Sequence, residues 1–182
     1  MRAGFGPHGI AVIEMILACG GRRHLCGWQV EVNHAIKAIG LSFSSDAVLT
    51  LPTATSEVRL FEVDNGTMTR ARLAKGDWDY ERYAGHRAWE GARGTVGRTY
   101  DFWARHRYTR SRLFPTLHVV LTGLPEHLLQ GRLEALARGV EGITIAVLVT
   151  TLPRLKRGEP WYELAVDDDH RRLARYAQVF SR

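Results

Sequence analysis

Residues 59–75 read Arg-Leu-Phe-Glu-Val-Asp-Asn-Gly-Thr-Met-Thr-Arg-Ala-Arg-Leu-Ala-Lys, and few backbones satisfy so short a run. Leu60, Phe61 and Val63 are strand formers, and Glu62 and Asp64 interrupt them two positions apart. Side chains alternate along a strand, so both carboxylates are expected on one side of it. Asn65-Gly66 ends the strand, and Thr67 can cap a helix over 68–83 that carries Lys75 on its second turn.

Two carboxylates on neighbouring positions of a strand are hard oxygen ligands, suited to Mg²⁺ or Mn²⁺ with places left for water and phosphate. Such a metal site wants a third acid from an adjacent strand. Asp46 is placed to supply it, because it opens a strand-like run over 46–51 just upstream, and the polar connection over 52–57 is short enough for a hairpin. Asp46, Glu62 and Asp64 are therefore the metal-ligand set read from the sequence. The competing reading leaves these acids as solubility charges on an exposed edge strand.

A chain of 182 residues can bury one proper core. It shows no repeat and no low-complexity tract, its apolar runs are too short to span a bilayer, and no signal peptide opens it. Cys19 and Cys26 have no metal-ligand spacing and read as buried free thiols in a reducing cytoplasm, so a cytoplasmic protein without a membrane partner is expected. The net charge of +6 points to an anionic partner. Between 82 and 112 the basic residues, among them Arg87, Arg98, Arg105, Arg107, Arg110 and Arg112, alternate with Trp89, Tyr100, Trp103 and Tyr108. Guanidinium groups pair with phosphates and aromatic rings stack on bases, which makes this segment, with Trp103 and Tyr108 as its stacking residues, a DNA- or RNA-contact surface. A plain alternative is an amphipathic helix over 96–108 with Trp103 inside and the arginines solvated.

Elsewhere, apolar spacing gives a helix over 10–18 containing Glu14, a strand over 25–32, and an undecided segment over 34–43. A strand over 115–122 with a buried His118, a helix over 126–139 and a strand over 143–150 follow; 153–160 reads as a basic loop and 167–180 as a terminal helix opening on three aspartates. Three consecutive strands followed by a helix that crosses to a further strand make an α/β fold, a mixed sheet flanked by helices.

The chain resembles the replication-relaxation family of plasmid and mobile-element proteins of actinobacteria and other Gram-positive bacteria. The resemblance lies in Ser45-Asp46-Ala47-Val48, in Phe61-Glu-Val-Asp-Asn-Gly-Thr67, in Leu73 to Lys75 followed by Tyr80 and Tyr83, and in residues 112–120 as the next strand. It implies a restriction-endonuclease-like core of the PD-(D/E)XK nuclease type, ordered αβββαβ, here with a C-terminal αβα extension, in one domain over 1–182. The family's usual N-terminal winged helix is not expected ahead of this core. The resemblance further implies that Asp46 and Glu62 hold one metal with Asp64 as a further ligand, while Glu14 is a possible carboxylate from the other side. Asp64 stands where such nucleases carry lysine, and Lys75 supplies the cation instead. The implied function is DNA processing in plasmid replication or transfer, as a metal-dependent nickase or nuclease acting on DNA, with a relaxase or replication initiator as partner. The alternative is a catalytically silent nuclease fold that binds DNA or docks a partner.

Overall fold

The computed structural model describes residues 6–20, 24–53, 57–91, 96–165 and 172–175. Helix α1 (Pro7–Ala18) starts on a proline, whose missing N–H is no loss at a helix start. Strands β1 (Gly27–Ile36) and β2 (Leu41–Thr50) form a long hairpin closed by a 3-10 turn, Lys37–Ile39, with Gly40 in the left-handed region at φ 62°. Then come β3 (Val58–Asp64), α2 (Arg70–Gly85), a small hairpin of β4 (Arg87–Glu90) and β5 (Arg98–Asp101), and α3 (Phe102–His106). The remainder is β6 (Thr116–Leu121), α4 (Glu126–Gly139), β7 (Val147–Thr151), α5 (Leu152–Lys156), β8 (Tyr162–Ala165) and β9 (Arg172–Arg175).

One seven-stranded sheet runs β1-β2-β3-β6-β7-β8-β9, and β4-β5 stands apart. Strands β3, β6 and β7 are parallel and the other pairs antiparallel, so the expected mixed sheet flanked by helices is what forms. On one face Leu60, Leu117, Val119 and Val147 pack against Leu73 and Tyr80 of α2 and Leu129, Leu133 and Leu136 of α4. On the other, Ala47, Leu49, Phe61, Val63, Val120 and Leu148 meet Val12, Met15 and Ile16 of α1 and Leu155 of α5. Strands β6 and β7 are covered on both faces, which is why they read as mostly apolar and why their polar members, His118, Thr150 and Thr151, are buried too.

Several local expectations change. The undecided segment is the turn of the long hairpin. Helix α2 begins two residues later than expected, capped by Thr69, whose hydroxyl accepts from the Arg72 amide, and not by Thr67. The alternative helix over 96–108 gives way to β5 and the single turn of α3, and the expected basic loop over 153–160 contains α5. In the expected terminal helix, 172–175 pairs with β8 as a strand; Asp167, Asp168 and Asp169 lie outside the described residues. Cys19 is buried as expected, whereas Cys26 is exposed.

The long hairpin departs from strict alternation. On β2, Leu41, Phe43 and Ser45 face α2, but so does Val48, while Ala47 and Leu49 face α1. The same change of face occurs on β1 between Gln29, paired with Val48, and Val32, paired with Ser45, with the register unbroken on either side. Glu31 lies at the change with φ 52°, the one non-glycine positive φ among the described residues. An L-residue in that region costs on the order of 1 kcal/mol and is held there by its surroundings. Asp46, opposite Glu31, is where β2 turns its faces over.

Candidate active site

Asp46 sits within β2 and not at its start, and the change of face carries its carboxylate into the plane of the sheet. One oxygen accepts from the Val63 amide of β3 at 2.7 Å; the other is 2.9 Å from Nε2 of His8 on α1. Glu62 follows the even-numbered face of β3 and points beneath α2, where the Tyr80 hydroxyl donates to its Oε1. Burial, first, and the neighbouring Asp46 carboxylate, second, hold the Glu62 carboxyl well above the ordinary range, and Asp77 on α2 adds to the effect. Asp46 and Glu62 are thus neighbours across adjacent strands. Were a divalent cation held between them, it would offset the part of the Glu62 shift that Asp46 causes; Mg²⁺ can be held by one or two protein carboxylates when waters and phosphate oxygens complete its shell.

Asp64 is committed elsewhere. It is fully buried, with Oδ2 paired to Arg132 of α4 and Oδ1 accepting from the Gly66 amide at 3.1 Å. Arg132 also donates to the Met68 carbonyl, so Asp64 ties the β3–α2 turn to α4. What sets Asp64 apart from Asp46 is that a buried guanidinium already answers its charge. Among the described residues, no group of three or more His, Cys, Asp or Glu is arranged to hold a metal ion. The turn is tight on its far side too: at Gly123, φ 77°, an added Cβ would collide with the Asn65 carbonyl oxygen.

Lys75 lies on the outer face of α2, its side chain 79% exposed and its Nζ 3.9 Å from Asp79. It nonetheless lines the cleft that reaches Glu62, a space of about 180 Å³ bounded also by Phe43, Arg72, Asp79 and Tyr80. Glu14, read as a possible further carboxylate, is engaged 3.0 Å from Lys156 on α5.

The support behind Glu62 comes from residues that sequence reasoning missed. The Tyr80 hydroxyl contacts Ser45 Oγ at 2.8 Å, Ser45 contacts His34 Nδ1 at 3.4 Å, and His34 Nε2 meets the Tyr108 hydroxyl at 2.5 Å. His34 stacks on Phe43, and burial, helped by the charge of Arg107, lowers it to about 4. Ser45 and Tyr80 both stand in the family motif, yet neither reads from the sequence as support for Glu62; His34 falls in the undecided segment, and Tyr108 reads as a stacking residue.

The basic segment is split between surface and core. Arg87, Arg98, Arg105, Arg107, Arg110 and Arg112 are exposed. Arg98 and Arg105 both bind Glu90, at 3.2 and 2.6 Å, holding that carboxyl down at about 2, and Arg87 lies 3.3 Å from Asp101. Trp103 packs against Phe114 and Tyr108 is bonded to His34, both in the core, so the stacking expected of them is not available from the outside. The exposed ring of the hairpin is Trp89, at 52%, and Arg105 of α3 lies over Tyr100 of β5.

These features define an α/β protein with a mixed sheet, whose adjacent strands β2 and β3 present a carboxylate pair beneath a cation-bearing helix. Residues 1–99, more than half of the chain, match the family model described as replication-relaxation. The chain belongs to the replication-relaxation family and is a replication-associated protein of the plasmid and mobile-element kind. The matched span contains Asp46, Glu62, Asp64 and Lys75 and stops short of Arg105 and the residues after it. No curated protein and no solved structure matches the chain significantly. Among the described residues no helix is long and apolar enough to cross a membrane.

Proposed function

We propose that the protein processes DNA during plasmid replication or transfer, as a metal-dependent nickase or nuclease whose acid site is Asp46 and Glu62. The observation that carries this reading is the raised, partly buried Glu62 beside Asp46 at the edge of a cleft lined by Arg72 and Lys75. Perturbed carboxylates in a cleft are the usual mark of a site arranged for chemistry rather than for stability. Asp46 and Glu62 would hold Mg²⁺ or Mn²⁺, which supplies a bound water of lowered pKa and polarises a phosphoryl oxygen. The Val63 amide and His8 fix the Asp46 carboxylate, and the Tyr80 hydroxyl fixes Glu62. Lys75, on its flexible stem, leaves Asp79 to meet a phosphate at the cleft mouth. The exposed arginines of the β4–β5 hairpin and the segment after it track the DNA backbone, with a relaxase or replication initiator as the natural partner.

A second reading is a silent DNA-binding or partner-docking module, and the engagement of Asp64 by Arg132 and of Lys75 by Asp79 favours it. Cleavage of supercoiled plasmid with Mg²⁺ or Mn²⁺ separates the two. Nicking is expected from the native chain, is lost in Glu62→Gln together with Mn²⁺ binding measured by calorimetry, and is lost in Lys75→Ala with Mn²⁺ binding kept. Mn²⁺ binding without cleavage in the native chain supports the silent module; nicking that persists in Glu62→Gln removes the site.

A further inference from the structure

Helix α1 is apolar on nearly every side. Ala11, Val12, Met15 and Ile16 are buried against the sheet, yet Ile10 and Leu17, on the opposite side, are 51% and 65% exposed, with Ile13 partly so. A helix covering one face of a sheet ordinarily turns polar residues outward, and one that is apolar all round is normally covered on both sides. Positions 10, 13 and 17 are spaced i, i+3, i+7, the seam by which two helices pack.

The exposed surface continues beyond the helix. Glu14 lies 3.0 Å from Lys156 and so marks the flank of α1 that faces α5. Ile13, about 100° round the helix from Glu14, takes the other flank, toward the β1 edge of the sheet. There Trp28 and Val30, cross-strand partners of Leu49 and Ala47, lie on the α1 face and are exposed. Five large side chains therefore form one shelf along α1 and the edge strand.

We propose that this shelf is the interface of a homodimer in which α1 packs antiparallel on α1 of a second copy across a twofold axis near Ile13. The spacing is self-complementary, since that axis sets Ile10 against Leu17 of the second copy and Ile13 against its own equivalent. Electrostatics allow it: Glu14 is the one carboxylate on α1, and Lys156 already neutralises it. The five side chains expose roughly 450 Å² on each copy, roughly 900 Å² in all, so a polar rim around them has to complete the ~1,000 Å² that a specific interface needs. A patch of this size is about the largest that a monomer usually exposes, and such patches are often functional. This inference stands on α1 and β1 and does not depend on the acid site being active.

Light scattering of the whole chain at about 50 μM, a concentration suited to a small interface, should give the dimer mass. Ile10→Asp combined with Leu17→Glu should give the monomer mass with the circular-dichroism spectrum of the folded chain kept, since both side chains lie outside the core. Ile13→Cys in a Cys26→Ser background should form a disulfide-linked dimer on mild oxidation, and Leu128→Cys, exposed on the other face of the sheet, should not. A monomeric native chain, or a dimer that survives the double substitution, overturns the proposal. Failure of the Ile13→Cys cross-link in a dimer overturns the antiparallel arrangement, and saturation of the shelf by a different co-purified protein overturns the choice of a second copy.

Discussion

Glu62 is kept where its charge is least welcome, and Tyr80 is the neighbour that makes that tolerable. A carboxyl whose folded pKa lies above its unfolded value contributes stability below about 4.5 and loses it as pH rises. At neutral pH the native chain therefore bears a cost at Glu62 that a neutral amide of the same shape avoids. Glu62→Gln should raise stability by roughly 1–2 kcal/mol, a few degrees in the thermal midpoint for a chain of this size. The gain over the native chain, followed by scanning fluorimetry, should widen as pH rises above about 4.5. A destabilised variant would show that Glu62 serves the fold and not a ligand. Asp64 is the contrasting case, two positions away on the same face of the same strand, with its charge answered by Arg132 and a structural task.

Among the elements, the β4–β5 hairpin and α3 form a unit that hangs from the core by Trp103 and Tyr108 and offers its arginines to solvent. Within it the cations are drawn together around Glu90, so part of the positive charge is already compensated before any phosphate arrives. Arg107, Arg110 and Arg112 lie beyond Glu90's reach and carry more of the expected binding to DNA. Charge reversal at Arg107 and Arg110 should lower the slope of log affinity against log salt for a short duplex by about 2, one for each phosphate that is no longer neutralised. An unchanged slope, read by fluorescence anisotropy over a salt series, would take this unit out of the interface.

Across the molecule, two buried histidines govern the response to acid. Burial lowers His118 to about 3 and His34 to about 4, against about 6.5 when unfolded, so both are neutral in the fold. The unfolded chain then binds more protons below about 6.5, and their contribution to stability, complete above that value, is lost as pH falls toward 4 and then 3. Urea midpoints should drop between about pH 7.5 and pH 5 by an amount corresponding to roughly 2 kcal/mol for each histidine. His34→Gln should flatten part of that dependence, and a flat native profile would mean that the two rings are not held neutral. His34 also joins the Glu62 network to Tyr108, so acid loosens the hairpin anchor and the site support together.

Elements and chemical types were legible along the chain. Periodicity and turn residues placed α1, β3, α4 and β6, the strand-then-helix arrangement around Asn65-Gly66, and the two acids that lie side by side. What stayed hidden depends on partners distant in sequence. Asp64 meets Arg132 across 68 positions, and Asp46 meets His8 across 38; only packing brings those groups together. The alternation rule failed at Glu31 and Asp46 because a long twisted hairpin can turn its faces over without changing register, a tertiary adjustment with no sequence period of its own. Trp103 and Tyr108 resembled a stacking surface in composition, and the closing of α3 over α2 made them core. Burial, and with it the choice between ligand, anchor and support, came from three-dimensional packing, because it depends on what each side chain faces and not on what stands beside it in the chain.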